Sequence, residues 1–144
     1  MNSMNGADFL DTNILVYAVD RDSPAKRGIA QTLVATALSR QTGVISFQVV
    51  QETLQALTRR SRVVASAADA EDFLEKVLTP LWKVRPSVAI YARALRIQSG
   101  QGFSFYDSLI VASALESGCR RLLTEVLQHG QRIEGLRIEN PFLA

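Results

Sequence analysis

Residues 9 to 19, FLDTNILVYAV, carry one charge, Asp11, in an otherwise apolar run that begins like a buried strand and becomes a helix at Asp11 or Asn13. An ionised carboxylate delivered by a strand suited to the middle of a sheet needs a partner or a cation, because a lone charge out of water is costly. Ligand sites in open α/β sheets form at the carboxyl ends of strands, and Asp11 sits at such an end. The competing local reading is a helix N-cap by Asp11, helped by Asn13.

The chain then repeats strand, turn and helix. Ser23 and Pro24 form an N-cap and first turn, and Ile29, Leu33, Ala37 and Leu38 follow at helical spacing. Gly43, Val44 and Ile45 read as a short strand, with Ser46 capping a helix from Phe47 to Arg59. A helix from Ala67 to Leu78 is expected to end at Pro80, a strand to cover Trp82 to Val84, and Pro86 to start a helix through Ile90, Ala94 and Ile97. Gly100 and Gly102 mark a loop before an apolar helix from Phe105 to Glu116, which Gly118 stops. Leu122 to Thr124 and Leu136 to Ile138 read as final strands. This alternation predicts the α/β class: a three-layer α/β/α sandwich with a short, mostly parallel central sheet, in one domain spanning residues 1 to 144.

Composition narrows the chemistry. At 47% hydrophobic and 21% charged residues the chain is built to bury a core. It has no apolar window long enough to span a membrane, and Met1 to Gly6 lack a basic stretch followed by an apolar run, so a cytoplasmic protein is expected. Cys119 is the sole cysteine, which excludes an intramolecular disulfide framework and a multi-cysteine zinc site. His129 is the sole histidine, which excludes a two-histidine acid and base pair. With lysine only at 26, 76 and 83, thirteen of the sixteen basic residues are arginine, including Arg59, Arg60, Arg62, Arg120 and Arg121. Such forks can hold phosphate locally despite a net charge of +2, although any one of them taken alone reads as a solvated surface cation. Leu54, Leu57, Val63 and Val64 are candidates for a partner surface near the cluster, or for core.

Two more acids stand out. Asp107 is the only charge between Phe103 and Leu115, and it lies three residues after Ser104, the spacing of a capping box. Capping and cation binding are compatible, because a first-turn carboxylate sits at the positive end of the helix. Glu52 shares a polar stripe with Gln48 and Gln55, opposite Val49, Val50, Leu54 and Leu57; alone it reads as a solvent-facing helix residue. Together the three oxygen donors suit a hard cation such as Mg2+ or Mn2+ and metal-assisted phosphoryl chemistry.

FLDTNILVYA at 9 to 18, QVVQET at 48 to 53 and SFYDSLIVASAL at 104 to 115 resemble, in that order, the acidic motifs of PIN-domain nucleases, and among them the VapC-type toxins of prokaryotic toxin and antitoxin pairs. The resemblance spans nearly the whole chain and places the metal-binding acids at Asp11, Glu52 and Asp107, with Asn13 beside the first. It implies a PIN-like fold, endoribonuclease action on RNA with Mg2+ or Mn2+, a partner antitoxin and a homodimer. LLTEVLQHG at 122 to 130 resembles the fourth motif but departs from it: relatives commonly carry an aspartate where this chain has Val126. Thr124 and Glu125 are left as supporting residues. That departure also admits a catalytically weakened PIN domain that binds RNA or protein. A haloacid dehalogenase phosphatase needs a second aspartate where Asn13 stands, and a receiver domain needs a late lysine, whereas the last lysine here is Lys83.

Overall fold

The structure, a computed structural model, describes residues 6–59 and 66–143; Arg60, Arg62, Val63 and Val64 lie outside the described residues. Strand β1 (Asp8–Leu10) leads through Asp11 into α1 (Thr12–Tyr17), and α2 (Pro24–Arg40) returns the chain to β2 (Gly43–Ser46). Helices α3 (Phe47–Arg59) and α4 (Ala67–Phe73), a π turn (Leu74–Leu78) and the short α5 (Thr79–Leu81) lead to β3 (Trp82–Val84). Then follow α6 (Val88–Gln101), α7 (Phe105–Glu116), β4 (Arg121–Leu123) and the hairpin of β5 (Arg132–Ile133) with β6 (Leu136–Glu139).

The sheet order is β3-β2-β1-β4-β6-β5, parallel throughout except for the β5 edge. From β1 the chain steps one way to β2 and β3, then crosses back to β4. Right-handed crossovers in that order put α1 to α5 on one face and α6 with α7 on the other, giving the expected three layers. Helix α1 packs on α2 and α3, while α6 packs on α7. Because the direction reverses between β1 and β4, the loops leaving those two strands diverge and open a crevice at their carboxyl ends. Phe9, Leu10, Ile45, Leu122, Leu123 and Ile138 are fully buried in the strands, each removal from water being worth about 1.5–3 kcal/mol. Among the described residues no helix is long and apolar enough to cross a membrane.

Several elements differ from expectation for identifiable reasons. Pro80 does not end its helix. It brings no N–H, so the regular ladder gives way to the π turn, where Thr79 N donates to Leu74 O, and the helical path runs on to Leu81. Pro86 lies just before the next helix, whose N-cap is Ser87, with its hydroxyl accepting from Ile90 N at 3.2 Å. Gly100 sits inside α6, and only Gly102, at φ 75°, closes it. On α2 the inward residues are Ala30, Val34 and Ala37, while Ile29 is 40% exposed. Small residues face inward there because α2 lies tight on β2: a Cβ at Gly43 would sit 2.5 Å from the Ala37 Cβ. Leu57 is core and Leu54 packs against the core. Strand β5 carried no periodic signal; Glu134 and Gly135, both at positive φ, make the two-residue turn that pairs it with β6.

Both arginines of the pair reach Asp8, with Arg120 Nε 3.7 Å from its Oδ1. Arg121 is committed to structure: its Nε and Nη2 donate to the two Asp8 oxygens at 2.8 and 2.6 Å, and its Nη1 to Glu139 at 2.7 Å, tying β4 to both neighbours. Burial at Cys119 pushes its thiol up to about 11, the state of an unreactive core residue.

Candidate active site

Asp11 leaves β1 at the crevice and becomes the N-cap of α1. Oδ1 accepts from Thr12 N at 2.7 Å, and Oδ2 accepts from the Thr124 hydroxyl at 2.8 Å, with Asn13 Nδ2 a long 3.5 Å away. Thr124 leaves β4 on the other side of the crevice, is fully buried, and also accepts from Val126 N at 3.1 Å. The two readings of Asp11 therefore coincide: one oxygen caps the helix and the other faces the seam.

Glu52 lies in the second turn of α3. Its Oε1 accepts from the Thr12 hydroxyl at 2.8 Å and its Oε2 from Gln48 Nε2 at 3.1 Å. Gln48, four residues earlier on the same face, is 4% exposed and also donates to Tyr106 O at 3.2 Å, which ties α3 to the start of α7. At that start Ser104 Oγ accepts from Asp107 N at 3.1 Å, the forward half of the capping box. Asp11, Glu52 and Asp107 thus line one open cleft of about 440 Å³, walled by Tyr17, Ile110 and Val126.

The electrostatics follow from the crowding. Asp11 is raised from 3.8 to about 6, chiefly because burial penalises its charge; the hydrogen bonds from Thr124 and Thr12 pull the other way, and the Glu52 and Asp107 carboxylates push it up further. The donor set is all oxygen and anionic, which fits a hard divalent cation. Among the described residues no three acidic, histidine or cysteine side chains close tightly enough to grip an ion directly. An ion such as magnesium does not require that, since it keeps several waters and is bound through one or two carboxylates.

Glu125 pairs with side chains of α1 and α2. Its oxygens accept from Tyr17 Oη at 2.6 Å and from Lys26 Nζ, whose ammonium also lies 4.8 Å from the Tyr17 ring centre. Burial opposes its charge, but the Lys26 and Tyr17 hydrogen bonds, with the Lys26 charge, outweigh that and hold the carboxyl below the usual range. Its backbone N donates to Asn13 Oδ1 at 3.2 Å, so Asn13 links the ends of β1 and β4. Val126 is 61% exposed on the cleft wall. Thr12, Tyr17 and Lys26 were not singled out by sequence reasoning, since their partners lie 40, 108 and 99 residues away. Gln48 did leave a signal, its i, i+4 spacing to Glu52.

Residues 9–125 match the family model described as the PIN domain, a span that takes in Asp11, Glu52 and Asp107. The chain belongs to the PIN-domain family. Among relatives, it is 30% identical over 116 residues to Ribonuclease VapC23 of Mycobacterium tuberculosis, covering 81% of this chain and 90% of that protein. The PIN fold itself recurs in a toxin-antitoxin complex from Klebsiella pneumoniae, at a TM-score of 0.66 and 18% identity over 94% of this chain and 98% of that one. It recurs also in VapC20 of Mycobacterium tuberculosis, described as a Sarcin-Ricin loop cleaving toxin, at a TM-score of 0.61 and 20% identity over 81% and 87%.

Proposed function

We propose that this PIN domain is an endoribonuclease dependent on Mg2+ or Mn2+ and the toxin of a VapBC-type pair, held in check by a cognate antitoxin. The observation that carries the reading is the meeting of Asp11, Glu52 and Asp107 on one cleft at the carboxyl end of β1. The relatedness to Ribonuclease VapC23 and the likeness in fold to toxins support it. A cytoplasmic homodimer built from a single domain completes the proposal.

Asp11, Glu52 and Asp107 are the residues that would hold the cation. When bound, it supplies positive charge against the phosphodiester and the attacking oxygen. The chain's own part is positional: Thr124 and Thr12 fix the two oxygens of Asp11, Thr12 and Gln48 fix those of Glu52, and Ser104 fixes the start of the helix bearing Asp107. Side chains held this way need little reorganisation when charge develops nearby.

The test is cleavage of a labelled RNA by the purified protein with each cation, beside Asp11→Asn. Cleavage by the parent and none by the variant is the expected result; an inert parent sinks the reading. One observation favours a second reading, a weakened enzyme that mainly binds: apolar Val126 occupies the cleft wall. An inert parent rescued by Val126→Asp would select it.

A further inference from the structure

The cleft does not stop at Glu52. A second concavity of about 520 Å³ shares Gln48, Glu52 and Tyr106 with it and runs along α3 past Gln51 and Gln55 to Arg59. Its electrostatics are graded. The Glu52 carboxylate lies at one end, uncharged amides in the middle, and at the other end the Arg59 guanidinium, which pairs with no acid among the described residues. Seven residues separate Glu52 from Arg59, a helical rise of about 10 Å.

Tyr106 stands where the two concavities join and is 63% exposed. Its position is fixed: Gln48 Nε2 donates to its carbonyl at 3.2 Å, and its ring meets Phe105 edge to face at 5.5 Å. A braced aromatic face turned to solvent beside a candidate phosphodiester site is a platform for a nucleobase, since every base has a π face and stacking tolerates any sequence. The grading suits an RNA strand as well. Arg59 can fork onto a backbone phosphate, and the glutamine amides both donate and accept towards ribose hydroxyls and base edges.

We propose that this groove is the track for single-stranded RNA beside the cleaved bond, with Tyr106 stacking the adjacent base, Gln51 and Gln55 contacting the strand, and Arg59 holding a phosphate at the far end. The assignment rests on the ribonuclease reading above. Tyr106 and Arg59 are substrate-positioning residues and do not touch the reacting atoms.

The experiment uses the full chain. Binding of a short fluorescein-labelled oligouridine is followed by anisotropy in EDTA across a salt series, and KM and kcat are measured in parallel with Mn2+. Tyr106→Ala is expected to weaken binding and raise KM about tenfold or more with a much smaller change in kcat, and Tyr106→Phe to restore both. Arg59→Ala should flatten the slope of log affinity against log salt by about 0.7, the loss of one single-strand phosphate contact. Lys83→Ala, on β3, serves as a remote control and changes neither. Both substituted positions are exposed, and an unchanged melting temperature confirms that the fold is kept. If Tyr106→Ala and Arg59→Ala bind and cut like the parent while Asp11→Asn is inert, the track is refuted and the nuclease reading stands. A parent that neither binds nor cuts RNA refutes both. Weakened association with a co-expressed antitoxin but unchanged RNA binding would assign the groove to protein and overturn the proposal.

Discussion

The Thr124 hydroxyl donates to Asp11 Oδ2 at 2.8 Å, although the two residues are 113 apart in sequence, and it does so across the seam between the parallel strands β1 and β4, where the order of winding reverses. One side chain thus serves two ends. It feeds the carboxylate and accepts from Val126 N, so it fixes both the candidate ligand and the loop that forms the cleft wall. Thr124→Val keeps the shape and leaves both groups without this partner. It is expected to cost about 1–3 kcal/mol in urea denaturation, while Thr124→Ser, which keeps the hydroxyl, costs less. Equal losses for the two variants would show that the hydroxyl contributes nothing.

Asp11 should make the fold less stable as pH rises through the acid range. Its pKa is 3.8 in the ordinary state and about 6 in the fold, so between those values the unfolded chain has lost a proton that the folded chain keeps. Stability therefore falls from about pH 4 to about pH 6, by up to about 3 kcal/mol, and stays reduced above that. Asp11→Asn removes this term. In EDTA the variant should melt above the parent at pH 7 and close to it at pH 4. A variant less stable than the parent at pH 7 would show that the ionised carboxylate is satisfied where it lies.

Much of this arrangement was legible in the sequence, and the reasons are local. Asp11 and Asp107 stood out because each is the lone charge in a long apolar run, and such runs are what a sheet centre and a buried helix require. The strand and helix alternation came from the same apolar runs and their punctuation by Gly43, Ser46 and Gly118. What escaped was set by packing between distant segments. The inward face of α2 depends on how closely Gly43 lets the helix approach, and the burial of Gln48 depends on the start of α7 covering it. Nor does any spacing show that Glu125 is taken by Lys26 and Tyr17, which approach it from the opposite end of the chain.

That capture sets an expectation for Glu125. Both of its oxygens are engaged by Tyr17 and Lys26, so Glu125→Gln should lower cleavage by less than about tenfold, whereas Asp11→Asn lowers it by about a hundredfold or more. Rates with saturating Mn2+ decide this. Comparable losses for the two variants would place Glu125 among the ligands.

Gly43→Ala tests the packing that sets β2 beside the site. The added Cβ would meet the Ala37 Cβ at 2.5 Å and the Leu81 side chain at 3.0 Å, and the first of these is held by the helix backbone, so α2 must shift. A loss of about 1–3 kcal/mol is expected by chemical denaturation. Pairing it with Ala37→Gly should recover part of the loss by removing the clashing carbon, a coupling that two independent glycine effects would not produce.

Val126→Asp tests the cleft from the opposite side. Val126 is exposed on the wall, so the substitution loses little burial and places a fourth carboxylate near Asp11, Glu52 and Asp107. In EDTA the added like charge should lower the melting temperature slightly. With Mg2+ or Mn2+ the order should reverse, because cation affinity rises with the number of charged ligands and a ligand that binds only the fold stabilises it by mass action. A larger cation-dependent rise in melting temperature for Val126→Asp than for the parent is the expected outcome. Parallel rises would mean that position 126 does not reach the bound ion.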